Sequence, residues 1–209
     1  MSFQQYRPSG FNVLPPVVKN LLIINGIFFL ATIVFEQKHI DLANILGLHY
    51  FFSEDFRPYQ IITYMFMHGS FGHILFNMFA LWMFGNMLEN VWGPKRFLIY
   101  YVVCGIGAVL LHYTIHYFEI QPLIGMLNDY LTNPSLEKFD SLFKENTIQL
   151  APEMAQTLQP IYTDFKSFMI SGEREKALEI SIDFVLEYKR EFLNAPVVVG
   201  ASGSVFGLL

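Results

Sequence analysis

Two long stretches without charge constrain this chain more than any other feature. No Asp, Glu, Lys or Arg occurs in residues 61–88 or 97–118, which are runs of 28 and 22 residues. A helix needs about 20 apolar residues to cross the hydrocarbon core of a bilayer. With the apolar run 20–35, or 17–35 when Val17 is included, these stretches predict three transmembrane helices. Because only 15% of residues are charged and the formal net charge is -5, an ordinary soluble domain and a nucleic-acid binder are excluded.

The basic residues predict an orientation in the lipid bilayer. Arg7 and Lys19 precede or begin the first run, and Lys95 and Arg96 fall on the same side after two crossings. Cytoplasmic loops are enriched in Lys and Arg. We therefore expect a cytoplasmic N terminus, with residues 36–60 and everything after Phe118 outside. A bacterial inner membrane is the expected location.

Residues 119–196 differ in kind from the apolar runs. They hold 13 acids and 7 bases, with amphipathic patterns at 136–150, 152–170 and 173–193 that indicate helices. The predicted organisation is a membrane core, 1–118, an extramembrane helical insert, 119–196, and the start of a fourth helix, 197–209. That last segment rises only about 20 Å as a helix, too short to cross the bilayer. We expect the chain to be part of a longer protein.

A first polar cluster lies in sequence that is otherwise apolar. His73 and Asn77 are four residues apart and share a helix face, whereas His68 belongs to a glycine-containing lead-in before a helix that Ser70 would cap. Polar groups within a membrane are costly and usually functional, although hydrogen bonding between helices is the alternative. Asn is a weak metal ligand, so no metal or cofactor is expected.

A second cluster is Gly200-Ala201-Ser202-Gly203. A serine nucleophile needs an accessible hydroxyl, a nearby base and donors for the oxyanion. Small neighbours would let a substrate approach Ser202, and unpaired amides at a helix start could face developing negative charge. The alternative is a packing helix in which Gly203 and Gly207 form a close helix contact. We interpret Ser204 and the single cysteine, Cys104, as packing residues.

These motifs together resemble the rhomboid family of intramembrane serine proteases. The order His-x4-His-x3-Asn occurs at His68, His73 and Asn77, and Gly-x-Ser-Gly occurs at 200–203. Phe56-Arg57 is similar to the family's Trp-Arg pair in the first loop, and Glu89 matches an acidic residue at the inner end of the second helix. The resemblance implies an all-α, normally six-helix polytopic bundle that hydrolyses transmembrane protein substrates near the outer interface.

The resemblance also implies roles for particular residues. Ser202 would be the nucleophile, His73 and Asn77 would stabilise the oxyanion, and His68 would support the site near its mouth. Arg57 would anchor the first loop.

The family's dyad histidine has no expected counterpart in this chain, because the helix that carries it would follow Leu209. His112 and His116, at the outer end of the third run, do not match its motif. We expect this polypeptide to be inactive and the complete protein to be active. The insert is expected to overhang the active-site face, where it would gate access or recruit substrate. A catalytically dead adaptor that binds transmembrane clients is the main alternative, and a transporter is the next.

Overall fold

The structure, a computed structural model, describes residues 12–144, 148, 152–194 and 198–208. In these residues the chain is helical, apart from loops and an isolated antiparallel bridge between Leu48 and Val198. The all-α prediction is confirmed. Arg7, residues 145–147 and 149–150 of the helix predicted at 136–150, and the boundary at 196–197 lie outside the described residues, so those predictions stay untested.

The helices follow one another with short connections. In chain order they are α1 Pro16–Glu36, α2 Leu42–Leu46, α3 Gln60–Thr63, α4 Phe71–Ala80, α5 Asn86–Trp92, α6 Pro94–Thr132, α7 Leu136–Lys144, α8 Pro152–Ser171, α9 Arg174–Asn194 and α10 Ser202–Phe206. A 3-10 turn, Tyr64–Phe66, follows α3, and a π turn, Leu81–Gly85, joins α4 to α5. The chain forms two compact units, the first comprising 1–49, 56–112 and 196–209 and the second 50–55 and 113–195.

Among the described residues, three helices are long and apolar enough to cross a membrane: Pro16–Glu36, the continuous Phe71–Trp92 and Pro94–Thr132. Most of their surface is not buried within the protein; Leu30, for example, is 63% exposed. Contact of such apolar surface with lipid tails carries no hydrophobic penalty, whereas contact with water does. The prediction of a polytopic helical membrane protein is confirmed.

The third span is longer than the sequence predicted. We expected the helix to occupy 97–118, but α6 continues to Thr132. The predicted end rested on Glu119. A charged residue ends the apolar run, but it does not end the helix. The stop comes at Asn133, because a proline, Pro134, disfavours helical conformation in the residue before it. Residues 119–132 are therefore helical in continuation of the third span.

Local capping sets the ends of the second span. The Ser70 hydroxyl accepts a hydrogen bond from the His73 amide at 3.1 Å, so Ser70 caps α4 as predicted. At the other end, Gly93 has φ +81°, a conformation that favours glycine, and Pro94 then begins α6. Because Pro suits the first turn of a helix, the Gly-Pro pair ends one helix and starts the next.

Glu89 joins the first two spans at one end. The residue is 3% exposed, and its carboxylate accepts hydrogen bonds from the amides of Val17 and Val18, at 2.9 and 2.8 Å. These amides lie in the first turn of α1, where helix amides lack partners within the helix and carry partial positive charge. The start of α1 and the end of α5 therefore lie together, as two successive crossings require.

The second unit has its own aromatic core. Phe139 of α7 and Phe184 of α9 are 1% and 0% exposed, with ring centroids 5.6 Å apart. Tyr130, near the end of α6, shares a 2.6 Å hydrogen bond with the Ser181 hydroxyl. Gly172 (φ +81°) forms the turn between α8 and α9, as the sequence predicted. The acidic segment thus folds around buried aromatic side chains.

Candidate functional site: a histidine–glycine contact before Ser202

The predicted polar cluster comes together where the second span begins. His68 lies before α4, outside any helix, whereas His73 and Asn77 lie in its first two turns. The imidazole rings of His68 and His73 are 5.0 Å apart and nearly edge to face. Asn77 is 7% exposed, and its Nδ2 donates to the His73 carbonyl oxygen at 2.9 Å. The lead-in bends the chain, so residues five apart contact each other.

Gly200 brings the second cluster against the first. Its φ is +117°, and its amide donates to the Tyr64 carbonyl oxygen at 2.9 Å. A Cβ atom placed on Gly200 would lie 2.6 Å from Nε2 of His73 and 2.7 Å from Cε1. Real Cβ atoms do not come this close to other heavy atoms. The imidazole therefore occupies the space that a side chain at position 200 would take.

Ser202 follows this contact by two residues and is the first residue of α10, partly buried. Successive Cα atoms are about 3.8 Å apart, so the contact at Gly200 limits the distance from Ser202 Cα to His73 Nε2 to about 12 Å at most. Ser202 and His73 consequently lie at the same end of the second span. An arrangement with these two residues in opposite leaflets would have removed the basis for a shared site.

Small residues in α10 and directly after it also pack closely on α6. A Cβ atom on Gly203 would lie 2.6 Å from the Ala108 Cβ, and one on Gly207 would overlap the Cys104 side chain. A glycine at position 203 allows α10 to pack closely on α6, and it also gives Ser202 a small neighbour. Gly203 therefore agrees with the packing alternative as well as with the nucleophile motif.

Ser204 differs from Ser202 in its surroundings. It is fully buried, and its hydroxyl donates to the Met65 sulfur at 3.2 Å. This contact agrees with its interpretation as a packing residue.

His68 lines a cavity of about 440 Å³, together with residues that include Glu36, His39 and Asp41. The cavity lies at the end of α1 that the sequence predicts to be outside. The side chain is 2% exposed, and neither ring nitrogen makes a hydrogen bond of normal geometry with the described residues. Burial, and then the neighbouring His73, lower the pKa of His68 from 6.5 to about 4, against an opposing interaction with the Phe66 backbone. His68 is therefore neutral at physiological pH.

Arg57 lies in the first loop, here defined as residues 37–60, and is exposed. Its Nη1 donates to the Phe56 carbonyl oxygen at 2.9 Å, and its amide donates to Gln60 Oε1 at 2.9 Å.

His116, which we did not assign as a base, has its ring 4.9 Å from that of Tyr50. In the described part of the chain, no group of three or more His, Cys, Asp or Glu side chains could hold a metal ion.

Sequence reasoning missed Tyr64. Besides accepting from Gly200 through its carbonyl, it donates its hydroxyl hydrogen to the Gly105 carbonyl oxygen at 2.9 Å. It thus links the entry to α4, the start of α10 and the middle of α6. The signal available was a tyrosine in an uncharged run, where a buried hydroxyl needs a partner.

Comparisons with known proteins extend this description. Residues 55–126 match the profile of the Rhomboid domain. The chain is 33% identical over 101 residues to RHOMBOID-like protein 12, mitochondrial, of Arabidopsis thaliana, covering 48% of this chain and 29% of that protein. It is 27% identical over 102 residues to Rhomboid-like protein 15 of the same plant, covering 49% and 25%. The chain thus spans less than a third of each relative's length.

The fold and the spans define a polytopic α-helical membrane protein in which the segment around His73 meets the segment around Gly200. Within that class, residues 55–126 are similar to the Rhomboid domain, and about half of the chain is similar to each of the two rhomboid-like relatives. The profile match includes His68, His73, Asn77 and Glu89 and ends before Ser202. Both relatives are plant proteins, so the prediction of a bacterial inner membrane gains no support from them.

Proposed function

We propose that the complete protein is a rhomboid-type serine endopeptidase that hydrolyses peptide bonds of transmembrane substrates. The observation that carries the proposal is the contact of the His73 imidazole with Gly200, two residues before Ser202. Two polar clusters far apart in sequence meet there, in a protein whose spans expose many large apolar side chains. Such a meeting of polar groups in a membrane protein is usually functional.

In this proposal Ser202 attacks the scissile carbonyl, and the negative charge that develops on its oxygen needs hydrogen-bond donors. Nδ2 of Asn77 uses one hydrogen on the His73 carbonyl, which leaves its second hydrogen for the oxyanion. A His73 ring nitrogen and the Ser202 amide are the other proposed donors. The general base, by family resemblance, is a histidine of the complete protein other than His112 or His116.

Ser202 and Ser204 provide a matched pair for the test, because they are two residues apart and both begin α10. In the full-length protein, Ser202→Ala should abolish cleavage of a transmembrane substrate and labelling by a fluorophosphonate. Ser204→Ala should retain both, since it loses a contact with the Met65 sulfur. Cleavage that persists in Ser202→Ala would refute the assignment. Substrate binding without cleavage in the unaltered protein would favour the adaptor.

The proposed orientation puts the N terminus and Lys95–Arg96 in the cytoplasm-equivalent compartment and cleavage near the opposite surface. It rests on the basic residues alone. Cys104 is the only cysteine in residues 1–209, so Cys104→Ser in a protein of these residues provides a background for single cysteines at Lys95 and Glu54. A membrane-impermeant maleimide should label these two positions from opposite sides, and labelling from the same side would refute this topology.

A further inference from the structure

A cavity of about 440 Å³ lies beside the proposed site, at the end of α1. Its lining residues include His68, His39 and two acids, Glu36 and Asp41. All of them belong to the first compact unit. The volume is within the range of about 300–1,000 Å³ that is usual for ligand pockets. The proposed nucleophile and oxyanion donors do not line this cavity, so it is available for another part of a ligand.

The end of α1 at this cavity is negatively charged. A helix carries partial negative charge at its C-terminal end, where cations are favourable and acids are not. Nevertheless, α1 ends with Glu36 and has no basic residue in its last turn. Asp41 follows, and its Oδ1 accepts from the Asn44 amide at 3.0 Å, whereas Lys38 is exposed and does not line the cavity. A cation bound in the cavity would relieve this accumulation of negative charge.

His68 is a second, independent indication of a ligand. The residue is 2% exposed, and its two ring nitrogens make no hydrogen bond of normal geometry with the described residues. A buried polar group without a partner costs free energy, which a bound ligand can recover. Because the His68 imidazole is neutral at physiological pH, one of its ring nitrogens can accept a hydrogen bond from a ligand N–H group.

An organic cation suits these groups better than a metal ion. In the part of the chain that the structure describes, no cluster of three or more His, Cys, Asp or Glu side chains could hold a metal. Lysine ammonium and arginine guanidinium groups only donate hydrogen bonds, so they complement carboxylates and a neutral imidazole. Both also have a long apolar stem, which suits the apolar residues Ile40, Leu42 and Ala43 that also line the cavity.

The cavity is close to the proposed nucleophile. The rings of His68 and His73 are 5.0 Å apart, and Ser202 Cα is at most about 12 Å from His73 Nε2. With the size of an imidazole included, the His68 ring is no more than about 18 Å from Ser202 Cα. An extended peptide advances about 3.3 Å per residue, so a side chain in the cavity belongs to a residue within about six positions of the scissile bond.

We infer that this cavity is a subsite for a lysine or arginine side chain of the transmembrane substrate. The inference rests on the proposed function and adds a substrate class, namely segments with a basic residue within about six positions of the cleaved bond. Glu36 and Asp41 supply the negative charge, and the His68 imidazole accepts a hydrogen bond from the same cation. Binding in the cavity thus selects which peptide bond lies against Ser202.

The test compares lysine with methionine in substrates of the complete protein, because methionine is also long and unbranched but carries no charge. The bond cleaved in an uncharged model transmembrane segment is located first. One lysine, or one methionine, is then placed at each position up to about six residues from that bond. The protein variant is Glu36→Gln combined with Asp41→Asn, since asparagine can still cap α2. The control is Glu175→Gln combined with Glu179→Gln, which removes two exposed acids of α9 that do not line the cavity.

We expect lysine at the best position to raise kcat/KM about tenfold over methionine, the scale of one hydrogen bond to a charged group. This ratio should fall below about twofold without the two cavity acids and stay near tenfold in the control. A ratio below about twofold in the unaltered protein overturns the inference. A ratio that survives removal of the cavity acids, or that falls equally in the control, overturns it as well.

A crosslinking experiment separates this inference from the proposed function. The Ser202→Ala variant of the complete protein is treated with a carbodiimide, which joins a carboxylate to an amine. The probe is an acetylated transmembrane peptide whose only amine is one lysine side chain. Crosslinks at Glu36 or Asp41 support the subsite, whereas crosslinks confined to other acids, or none, overturn it. If the unaltered protein cleaves nothing, the proposed function fails, and the crosslinks still decide whether the cavity binds a basic side chain.

Discussion

Gly200→Ala tests the central contact of the candidate site. The new Cβ would lie 2.6 Å from His73 Nε2, whereas unstrained carbon contacts are about 3.5–4.0 Å long. The imidazole or the backbone must therefore move by about 1 Å. The residue must also keep φ +117°, and a non-glycine residue in a sparsely populated region costs about 1–3 kcal/mol.

This displacement separates His73 from the Ser202 segment, so the loss should appear in the chemical step. We expect kcat/KM of the full-length protein to fall about 100-fold, as for a misplacement of about 1 Å. The thermal unfolding midpoint in detergent should also fall, because strain destabilises the folded state. The assay is cleavage of a transmembrane substrate, with fluorophosphonate labelling as a second readout.

Gly72→Ala is the matched control. Gly72 directly precedes His73 in α4, and a Cβ there meets no heavy atom within 4 Å. Alanine favours a helix interior over glycine by about 1 kcal/mol, so this variant should be as stable as the unaltered protein or more stable, with cleavage retained. Unchanged cleavage by Gly200→Ala, or an equal loss in Gly72→Ala, would refute the reasoning.

Three further predictions concern other parts of the protein. Glu89→Ala should destabilise the bundle by about 1–3 kcal/mol, because two amides of the first turn of α1 lose their acceptor; Glu89→Gln, which keeps one acceptor oxygen, should lose less in unfolding titrations. The pKa of His68 is lowered to about 4, so below pH 6.5 the unfolded chain binds a proton that the folded chain does not, and stability should fall as pH decreases from 6.5 to 4. That pH-dependent part should be absent in His68→Gln when melting curves are compared, and an identical pH profile would contradict it. Phe184→Ala should cost the second unit about 3–5 kcal/mol, because it empties the centre of its aromatic core; local amide exchange in α7 and α9 measures this, with the half-exposed Leu186→Ala as the control.

Short sequence patterns predicted some features of the structure and failed to predict others. The Ser70 cap and the break at Gly93-Pro94 were predicted from short-range signals. The fourth helix, expected over 197–209, begins only at Ser202. The end of α6 was wrong because the charge of Glu119 was read as a helix end, although charged residues are compatible with helices outside the membrane. The roles assigned to Ser202, His73 and Asn77 stay predictions until activity is measured.

The sequence by itself determined the helical class, the three spans and the two polar motifs, since hydrophobicity and glycine or proline signals act over a few residues. Only the tertiary structure decided that the His73 imidazole lies against Gly200, more than 120 positions away in the chain. It also decided that Glu89 caps α1 and that the Ser53 hydroxyl donates a hydrogen bond to the side-chain oxygen of Asn194. Such contacts depend on how helices pack and where loops return, and no local pattern encodes the partner of a side chain.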